Sequence, residues 1–256
     1  MWHEDRYRLI RGMLKVNGHV SVERIVAELD VSRETVRRDL VELEALGDIR
    51  RVHGGAVLVE EGEPPIDVRA ETRVREKRAI ARKVATLVEH GQTLFMDAGS
   101  TTSLIAEALS AHMGLTVITN SVDAARRLAG SGDAPGRNRV HLLGGEFGAA
   151  VGHTYGAACV AEISRFQPDL AILSPVGVDA TTGATSFLGE EAEVARAMAT
   201  HAKHVLIAAD YAKIGVRSRI GYCTPKDIDV LVTNRRAAKA AGMAAVAKLV
   251  GSVELA

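Results

Sequence analysis

The chain has 256 residues, which domain-size statistics divide into one large domain or two smaller ones. A hydrophobic fraction of 47% supplies a sizeable core, and a charged fraction of 25% is ordinary for a protein that folds in water. Basic and acidic residues balance at 32 each, so the composition excludes a generally basic nucleic-acid binder but allows a local basic surface.

The first residues and the cysteines predict a cytoplasmic protein. The opening MWHEDRYRLI lacks the basic start and apolar run of a signal peptide, and no apolar stretch is long enough to cross a bilayer, so we expect no membrane partner. Cys159 and Cys223 are isolated, as expected of reduced and buried thiols, and the nine histidines are scattered. We expect no metal site and no cofactor.

The first 58 residues have the pattern of three short helices followed by a hairpin. The first helix is indicated by the apolar stripe Leu9, Ile10, Met13, Leu14 and Val16. Ser21 is expected to cap the second helix, which buries the stripe Val22, Ile25, Val26 and Leu29. Asp30-Val31 is a tight break, after which Ser32 caps a third helix that ends near Gly47. Two β-prone runs around Gly54-Gly55 predict the hairpin.

The third helix concentrates arginines on its solvent side. On a helical wheel, Val36, Leu40 and Leu43 form one narrow stripe that must face the core. The opposite side and its flanks carry Glu34, Thr35, Arg38, Glu42, Arg33 and Arg37. A short helix, a sharp turn and this helix form a helix-turn-helix, whose second helix enters the major groove of DNA. Arginine suits that place because its fork can hold a guanine edge or a phosphate in bidentate fashion.

The predicted hairpin is a second basic element, and as a wing it can reach the DNA backbone or the minor groove. A solvated charged helix face would explain the helix arginines taken alone. It explains two basic clusters on adjacent elements less well, so we predict double-stranded DNA as a partner. The predicted DNA-contacting residues are Ser32, Arg33, Thr35, Arg37, Arg38, Arg50, Arg51 and His53.

The pattern changes after residues 60–66, EEGEPPI, whose acidic residues and two prolines are typical of a linker or domain boundary. A charged helix is expected over about residues 67–90. Short apolar runs then alternate with helical ones: TLFM, LTVIT, RVHLL, DLAILSPVGV, HVLIAAD and VLVT. This alternation predicts an α/β domain with a mostly parallel sheet flanked by helices on both faces.

Small and polar residues follow the predicted strands, at the sheet edge where ligands bind in open α/β folds. The segment DAGSTT, residues 97–102, is the most informative, because Gly99 permits a tight turn and a helix start with hydroxyl side chains suits phosphate. An ordinary strand-to-helix turn, or ordinary surface charge at Lys213 and Glu190, is the alternative. The expected ligand-binding residues are Asp97, Gly99, Ser100, Thr101, Thr102, Asn120, Ser121, Gly144, Gly145, Asp179, Glu190, Asp210 and Lys213.

Residues 18–58, with the segments TVRRDL and RVHGGA, resemble the N-terminal winged helix-turn-helix of the DeoR family of bacterial transcription regulators. The resemblance covers nearly the whole chain and fades after about residue 234. It implies a C-terminal sensor domain related in fold to ribose-5-phosphate isomerase and CoA transferases. The family's D-[SA]-G-[ST]-T, T-N-S, G-G and A-D-x-x-K-x-G motifs map to residues 97–101, 119–121, 144–145 and 209–215.

The resemblance implies a regulator with a DNA-binding domain over residues 1–59, a linker over 60–75 and an effector-sensing and oligomerisation domain over 76–256. The expected function is repression of a sugar or polyol catabolic operon, with a phosphorylated sugar or polyol as effector and a homodimer or homotetramer as the assembly. Ala195 stands where the family often has a lysine, so the effector could differ from the usual ones. The tail over residues 235–256 is longer and richer in alanine than the family pattern leads us to expect.

Two other functions compete with this interpretation. One is a sugar-phosphate isomerase-like enzyme with a DNA-binding appendage, and such chemistry needs a positioned base and an acidic partner. The isomerase relatives place more than one acid and a lysine after the fourth strand, whereas residues 177–186, GVDATTGATS, contain Asp179 and no lysine. The other is an architectural DNA protein without an effector, which fits poorly with the polar sheet edge.

Overall fold

The computed structural model describes residues 3–17, 19–45, 49–52, 54–58, 64–129 and 138–256. These residues form two compact units, Met1–Pro64 and Pro65–Ala256. Residues 60–63 of the predicted linker lie outside the described residues, and so does Gly47, the expected end of the third helix. The domain boundaries drawn from the sequence therefore stay a prediction.

The first unit contains the three predicted helices and the predicted hairpin. Its helices are α1 His3–Asn17, α2 Val22–Leu29 and α3 Arg33–Ala45, and its strands are β1 His19–Ser21, β2 Ile49–Val52 and β3 Gly55–Leu58. The strands pair antiparallel in the order β1-β3-β2, so the wing is a three-stranded sheet. The sequence predicted only the hairpin, because a three-residue strand such as β1 is defined by its partner and not by local propensity.

Local side-chain chemistry fixes the turns of this unit as predicted. Ser21 caps α2 by accepting a hydrogen bond from the Arg24 backbone N–H at 3.2 Å. Asp30 adopts a left-handed conformation with φ 50°, which ends α2 and produces the sharp turn before α3. Ser32 accepts a hydrogen bond from the Thr35 N–H at 3.1 Å and so caps α3.

The core of the first unit follows the predicted stripes with one correction. Val36, Leu40 and Leu43 are buried against the other two helices and the wing. Leu9 was expected on the inner face of α1 but is 41% exposed, and Tyr7 is buried instead. An aromatic ring at position 7 covers more apolar area than a leucine and keeps its hydroxyl near a polar partner, and it is therefore favoured at the rim of the core.

The second unit is built on a seven-stranded parallel sheet, as the alternation of apolar runs predicted. In chain order its strands are β4 Thr93–Met96, β5 Thr116–Thr119, β6 Arg139–Leu142, β9 Leu170–Leu173, β12 His204–Ala208, β14 Val230–Thr233 and β15 Ser252–Leu255. Their spatial order is β15-β14-β12-β9-β4-β5-β6, and every neighbouring pair is parallel. All carboxyl ends of these strands therefore meet at one edge.

Helices cover the sheet on two sides, which explains why the central strands are apolar on both faces. The helices of this unit are α4 Ile66–Glu71, α5 Val74–Leu87, α6 Ser100–Leu109, α7 Val122–Ala129, α8 Ala157–Ile163, α9 Gly189–His201 and α10 Met243–Ala247. One core cluster joins α5, α6 and α7 to the sheet, and a second joins α8, α9 and α10 to it.

Among the described residues of the second unit, five short antiparallel strands lie outside the seven-stranded sheet, and the sequence did not predict them. They are β7 Glu146–Gly148 paired with β8 His153–Tyr155, and a small sheet of β10 Gly177–Asp179, β11 Gly183–Ser186 and β13 Ile220–Cys223. The run DLAILSPVGV, expected as one strand, therefore divides into β9 and β10. A proline at position 175 separates them because it cannot donate to a ladder.

The expected single helix over residues 67–90 is also two helices. Arg73 adopts φ 52° between α4 and α5, a left-handed conformation that interrupts a helix. The alanine-rich tail folds as a short 3-10 helix at Arg235–Lys239, then α10, then the edge strand β15. Cys159 and Cys223 are both buried and free, and the described helices include none long and apolar enough to cross a membrane.

Candidate functional site

The exposed N-terminal half of α3 is the candidate DNA-reading surface. Ser32 and Thr35 are linked to each other by their hydroxyl oxygens at 2.8 Å, so they cap the helix and lie beside its first turn. Arg37 and Arg38 are exposed, and within the described part of the chain neither guanidinium is paired with a carboxylate. Both side chains can therefore be directed to DNA without breaking an ion pair.

The flanking arginines of this surface are paired. Arg33 lies 3.1 Å from Glu23 on α2, with both side chains mostly exposed. Arg51 Nε lies 2.6 Å from Glu44, whose carboxylate also accepts a hydrogen bond from the Arg51 backbone N–H at 2.9 Å. Arg33, Arg37 and Arg51 line one groove between the helices and the wing. The Arg50 side chain and all of His53 lie outside the described residues.

The position of α3 is fixed by two contacts from α1 that the sequence analysis missed. Arg6 forms a bidentate pair with the buried carboxylate of Asp39, at 2.6 and 2.7 Å. The Tyr7 hydroxyl donates to Glu42, and burial together with this hydrogen bond raises the pKa of Tyr7 to about 12. Long-range pairs of this kind leave no periodic signal in the sequence, so Asp39 and Glu42 looked like ordinary exposed charges.

The candidate effector site of the second unit lies at the carboxyl edge of the sheet. Asp97 follows β4 directly, and its Oδ2 accepts a hydrogen bond from the Ser174 N–H at 2.8 Å, just after β9. Among the described residues no group donates to its Oδ1. Burial raises the pKa of Asp97 to about 8, so its carboxyl is mostly protonated at neutral pH.

The loop from Asp97 to Thr102 leads into the N-terminus of α6. The Thr101 hydroxyl is buried, and the described residues offer it no partner, whereas the Thr102 hydroxyl donates to Gly99 O at 3.1 Å. Gly99 has φ 169°, extended backbone that any residue adopts, so it does not form the tight turn expected of it. A Cβ atom there would meet Thr102 Oγ1 at 3.4 Å, an ordinary van der Waals distance. Glycine therefore leaves open space beside the loop.

A lysine that the sequence analysis did not select contacts this loop. Lys77 on α5 is 2% exposed, and its Nζ donates to Ser100 Oγ at 2.8 Å and to the Arg69 carbonyl oxygen. Burial and the charge of Lys213 lower the pKa of Lys77 to about 8. Its sequence signal is weak, because a lysine within the charged segment REKRAIARK looks like a solvated one.

Further charges surround Lys77. Asp210, in the loop after β12 and fully buried, lies 2.9 Å from Arg73 Nε and accepts from the Ala212 N–H at 3.0 Å. Lys213 donates to the Pro175 carbonyl oxygen, and its charge acts on both Lys77 and Asp97. The predicted residues Ser100, Asp210 and Lys213 are thus gathered around Lys77, with Arg69 and Arg73 contributing two more cations, and Asp97 is within reach of the charge of Lys213.

Asn120 and Ser121, at the end of β5, are buried and partly committed to the fold. The Asn120 amide donates to the Thr154 carbonyl at 2.8 Å, while its Oδ1 has no donor among the described residues. Ser121 Oγ accepts from the Ala124 N–H at 3.2 Å, as an N-cap of α7 does. Among the described contacts, the side-chain Oδ1 of Asn120 and the hydroxyl proton of Ser121 are therefore left to meet a ligand.

The remaining predicted residues have structural partners of their own. The Gly144 N–H donates to Glu162 at 2.8 Å, and a side chain at Gly145 would meet Tyr155 O at 2.4 Å, so that glycine is needed for packing. Asp179 Oδ1 accepts from the N–H groups of residues 181 and 182, which closes the β10–β11 turn. Glu190 is exposed in the first turn of α9.

Ala195, which replaces a lysine common in the family, lies 6% exposed within a core cluster of the second unit. At this position on α9 a methyl group packs against apolar neighbours. The bearing of this substitution on effector choice stays a prediction.

A helix-turn-helix with a wing, joined to a parallel-sheet unit with a cation-rich polar edge, defines the class of DNA-binding regulators that carry a sensor domain. Residues 6–62 match the DeoR-like helix-turn-helix domain, and residues 72–235 match the DeoR C terminal sensor domain. The chain belongs to the DeoR family of transcription regulators.

Three curated relatives support this placement. The glycerol-3-phosphate regulon repressor of Escherichia coli is 34% identical over 91% of this chain and 92% of its own length. The transcriptional repressor GlcR of Bacillus subtilis is 35% identical over 92% and 90%. The regulator GolR of Listeria innocua is 34% identical over 94% of both chains.

A solved structure of ribose 5-phosphate isomerase A from Neisseria gonorrhoeae is similar to part of this chain. It covers 56% of this chain and 53% of its own at 20% identity, with a TM-score of 0.39. A likeness of that size says nothing about activity.

Proposed function

We propose that the protein represses an operon for sugar or polyol catabolism and that a phosphorylated sugar or polyol releases it from operator DNA. The relative named as repressor of the glycerol-3-phosphate regulon supports the choice of a small phosphorylated metabolite. Double-stranded operator DNA and the effector are then its two ligands, bound by different units of one chain.

The observation that carries the proposal is the surplus of positive charge around one buried lysine at the sheet edge. Lys213, Arg69 and Arg73 lie close enough to Lys77 to lower its pKa, whereas the carboxylate of Asp210 acts in the opposite direction. Burial raises the pKa of Asp97, in the same loop as Ser100, to about 8. A phosphate group supplies the negative charge and the acceptor oxygens that such a cluster lacks. The loop of residues 97–102 at the start of α6 adds backbone donors and the dipole of the helix.

A thermal-shift screen of phosphorylated sugars and polyols tests the effector class. A ligand that binds only the folded protein stabilises it by about 2.7 kcal/mol at a hundredfold excess over Kd, which is a readable change in melting temperature. The dephosphorylated form of each hit is the matched control. Equal shifts by both forms would contradict a phosphate site.

Operator binding tests repression. Fluorescence anisotropy of a labelled duplex from the protein's own promoter region is measured with and without the best compound of the screen. We expect the compound to weaken operator binding. An unchanged or strengthened complex would argue for a different mode of regulation.

The rival function is an isomerase-like enzyme. The segment 177–186 contains one acid, Asp179, and no lysine, whereas isomerase chemistry needs a positioned base and an acidic partner, and this supports a non-enzymatic role. We propose that the protein does not turn over phosphosugars. The test is to incubate purified protein with aldose and ketose phosphates and to analyse the products. Isomerisation faster than in buffer alone would support the enzyme function instead.

The assembly is also a proposal. A single winged helix makes few DNA contacts, and repressors reach useful affinity by pairing half-sites. We therefore propose a homodimer or homotetramer, joined mainly through residues of the second unit. Sedimentation of the full chain at micromolar concentration measures this, and a monomer would count against paired half-sites.

A further inference from the structure

Lys77 connects two segments of the second unit. One is the loop of residues 97–102, where Ser100 Oγ accepts from Lys77 Nζ at 2.8 Å. The other is α4, whose Arg69 carbonyl oxygen accepts from the same ammonium group. Since α4 begins at Ile66, it is the first helix after the boundary between the two units at Pro64–Pro65.

The ammonium group of Lys77 is buried without a carboxylate against it. No ion pair joins it to an acid within the described residues, and the carboxylate that acts on it, Asp210, lies against Arg73. A charged group removed from water is destabilising unless an opposite charge compensates it. The described residues provide acceptors for two of its three protons, so a third is available to a ligand.

We propose that Lys77 relays the presence of an anion in the loop of residues 97–102 to α4, by being shared between the anion and the Arg69 carbonyl oxygen. This inference rests on the proposed function and adds a mechanism to it. An anion beside Ser100 attracts the ammonium group more strongly than a neutral carbonyl does, because two opposite full charges attract each other more than a charge and a dipole do. The bond from Lys77 to Arg69 O is then weakened.

The loss of the bond from Lys77 to Arg69 O is expected to loosen α4. This helix has six residues and no buried side chain, so its own contacts hold it weakly. Its last turn depends on the Thr72 N–H, which donates to Val68 O at 3.1 Å and to Arg69 O at 3.2 Å. The following residue, Arg73, has the unfavourable φ of 52°, a conformation that persists only where neighbouring contacts maintain it.

The test compares the full-length wild type with Lys77→Gln and Lys83→Gln, using inorganic phosphate as the probe. Glutamine at position 77 keeps hydrogen-bond donors but removes the charge. Lys83 is the matched control, because it lies on the same helix but pairs with Glu254 at 2.8 Å. Phosphate affinity is measured by calorimetry, and amide exchange of the peptide covering residues 65–73 is measured with and without phosphate.

In the wild type we expect phosphate to bind and to accelerate exchange within α4. Lys83→Gln should behave like the wild type. Lys77→Gln should lose about tenfold or more in phosphate affinity, and its α4 exchange should not respond even when phosphate is raised to saturation. A purely structural lysine would change exchange in the absence of phosphate and leave the affinity unaltered.

The outcomes separate this inference from the proposed function. Phosphate binding by the wild type with unchanged α4 exchange would overturn the relay alone, and so would a Lys77→Gln protein that keeps the α4 response. A wild type that binds neither phosphate nor any phosphorylated compound would overturn the effector site and the relay together.

Discussion

Arg38 and Arg51 have different surroundings in the first unit, and this difference predicts different effects on DNA binding. Arg38 is exposed on α3 and unpaired within the described chain, as a base-contacting arginine must be. We expect Arg38→Ala to weaken operator binding by about 1–3 kcal/mol and to relax base preference. The measurement is anisotropy on operator and random duplexes. Equal losses on both would contradict a base contact, and Arg82→Ala, an exposed arginine of α5, is the control.

Arg51 lies on the wing, where it pairs with Glu44 of α3, and we expect it to contact a phosphate of the DNA backbone. We expect Arg51→Ala to weaken binding to all sequences alike, and to lower the slope of log affinity against log salt by about one unit. The ion pair at 2.6 Å reduces the net gain, since Glu44 competes with the phosphate for the guanidinium. A salt slope equal to that of the wild type would place Arg51 outside the DNA interface.

The pKa values of Lys77 and Asp97 predict that anion binding weakens as the pH rises from about 7 to 9. Both pKa values are about 8, so Lys77 loses its positive charge and Asp97 gains a negative one across this range. Lys213, Arg73 and Arg69 stay charged and preserve weaker binding. A phosphate monoester, whose second pKa is about 6, is dianionic throughout and is the probe to titrate.

Two variants check the origin of this pH dependence. Asp97→Asn keeps an acceptor for the Ser174 N–H but cannot ionise, so it should flatten part of the profile. Lys77→Gln should remove the contribution of the lysine. If the affinity of the wild type for the anion stays level from about pH 7 to 9, neither Lys77 nor Asp97 interacts with the bound anion.

At the scale of elements, the loop between β4 and α6 has room that the fold does not use. A Cβ atom at Gly99 would come no closer than 3.4 Å to Thr102 Oγ1, an ordinary van der Waals contact. We therefore expect Gly99→Val to fold, to bind operator with nearly unchanged affinity, and to lose the effector response because its side chain fills the anion's place. Thr101→Ala should have the same effect more weakly, since it removes one hydroxyl.

The measurement is operator anisotropy with the effector, together with a melting curve that shows the variant is folded. Gly145→Ala is the contrast, because its side chain would meet the Tyr155 carbonyl at 2.4 Å and should lower the melting temperature. A folded Gly99→Val protein with a full response would place the effector site elsewhere.

The sequence predicted those elements whose signals are local. The caps at Ser21 and Ser32, the stripe of Val36, Leu40 and Leu43, and the strand TLFM all depend on residues a few positions apart. It missed β1 and β15, because a short edge strand is defined by the strand it pairs with.

The candidate site was predicted in the same uneven way. Asp97 and Ser100 lie in the segment that leads from β4 into α6, and Asp210 lies in the loop after β12, so the parallel topology brings them to one edge. Lys77 comes from a helix, 23 residues before Ser100, and its burial depends on the packing of α4, α5 and α6. In the sequence, Lys77 looks like an ordinary exposed lysine, and only the fold shows that it is buried.

At the scale of the whole molecule, one chain binds two ligands, and thermodynamics ties their affinities together. An effector can weaken operator binding only by its differential affinity for the DNA-bound and free arrangements of the protein. Typical coupling is about 1–3 kcal/mol, or about 5- to 150-fold. If half-sites are read by paired recognition helices, an effector that favours a different arrangement of the subunits suffices to produce this change.

Reciprocity makes this coupling testable from either side. We expect saturating operator duplex to weaken effector binding by the same factor by which saturating effector weakens operator binding. Calorimetry of the effector against free and operator-bound protein gives one factor, and anisotropy gives the other. A random duplex at a concentration too low to bind is the control for added DNA. If the effector affinity is equal in free and operator-bound protein, binding of the compound is not coupled to DNA binding, and operator release has another cause.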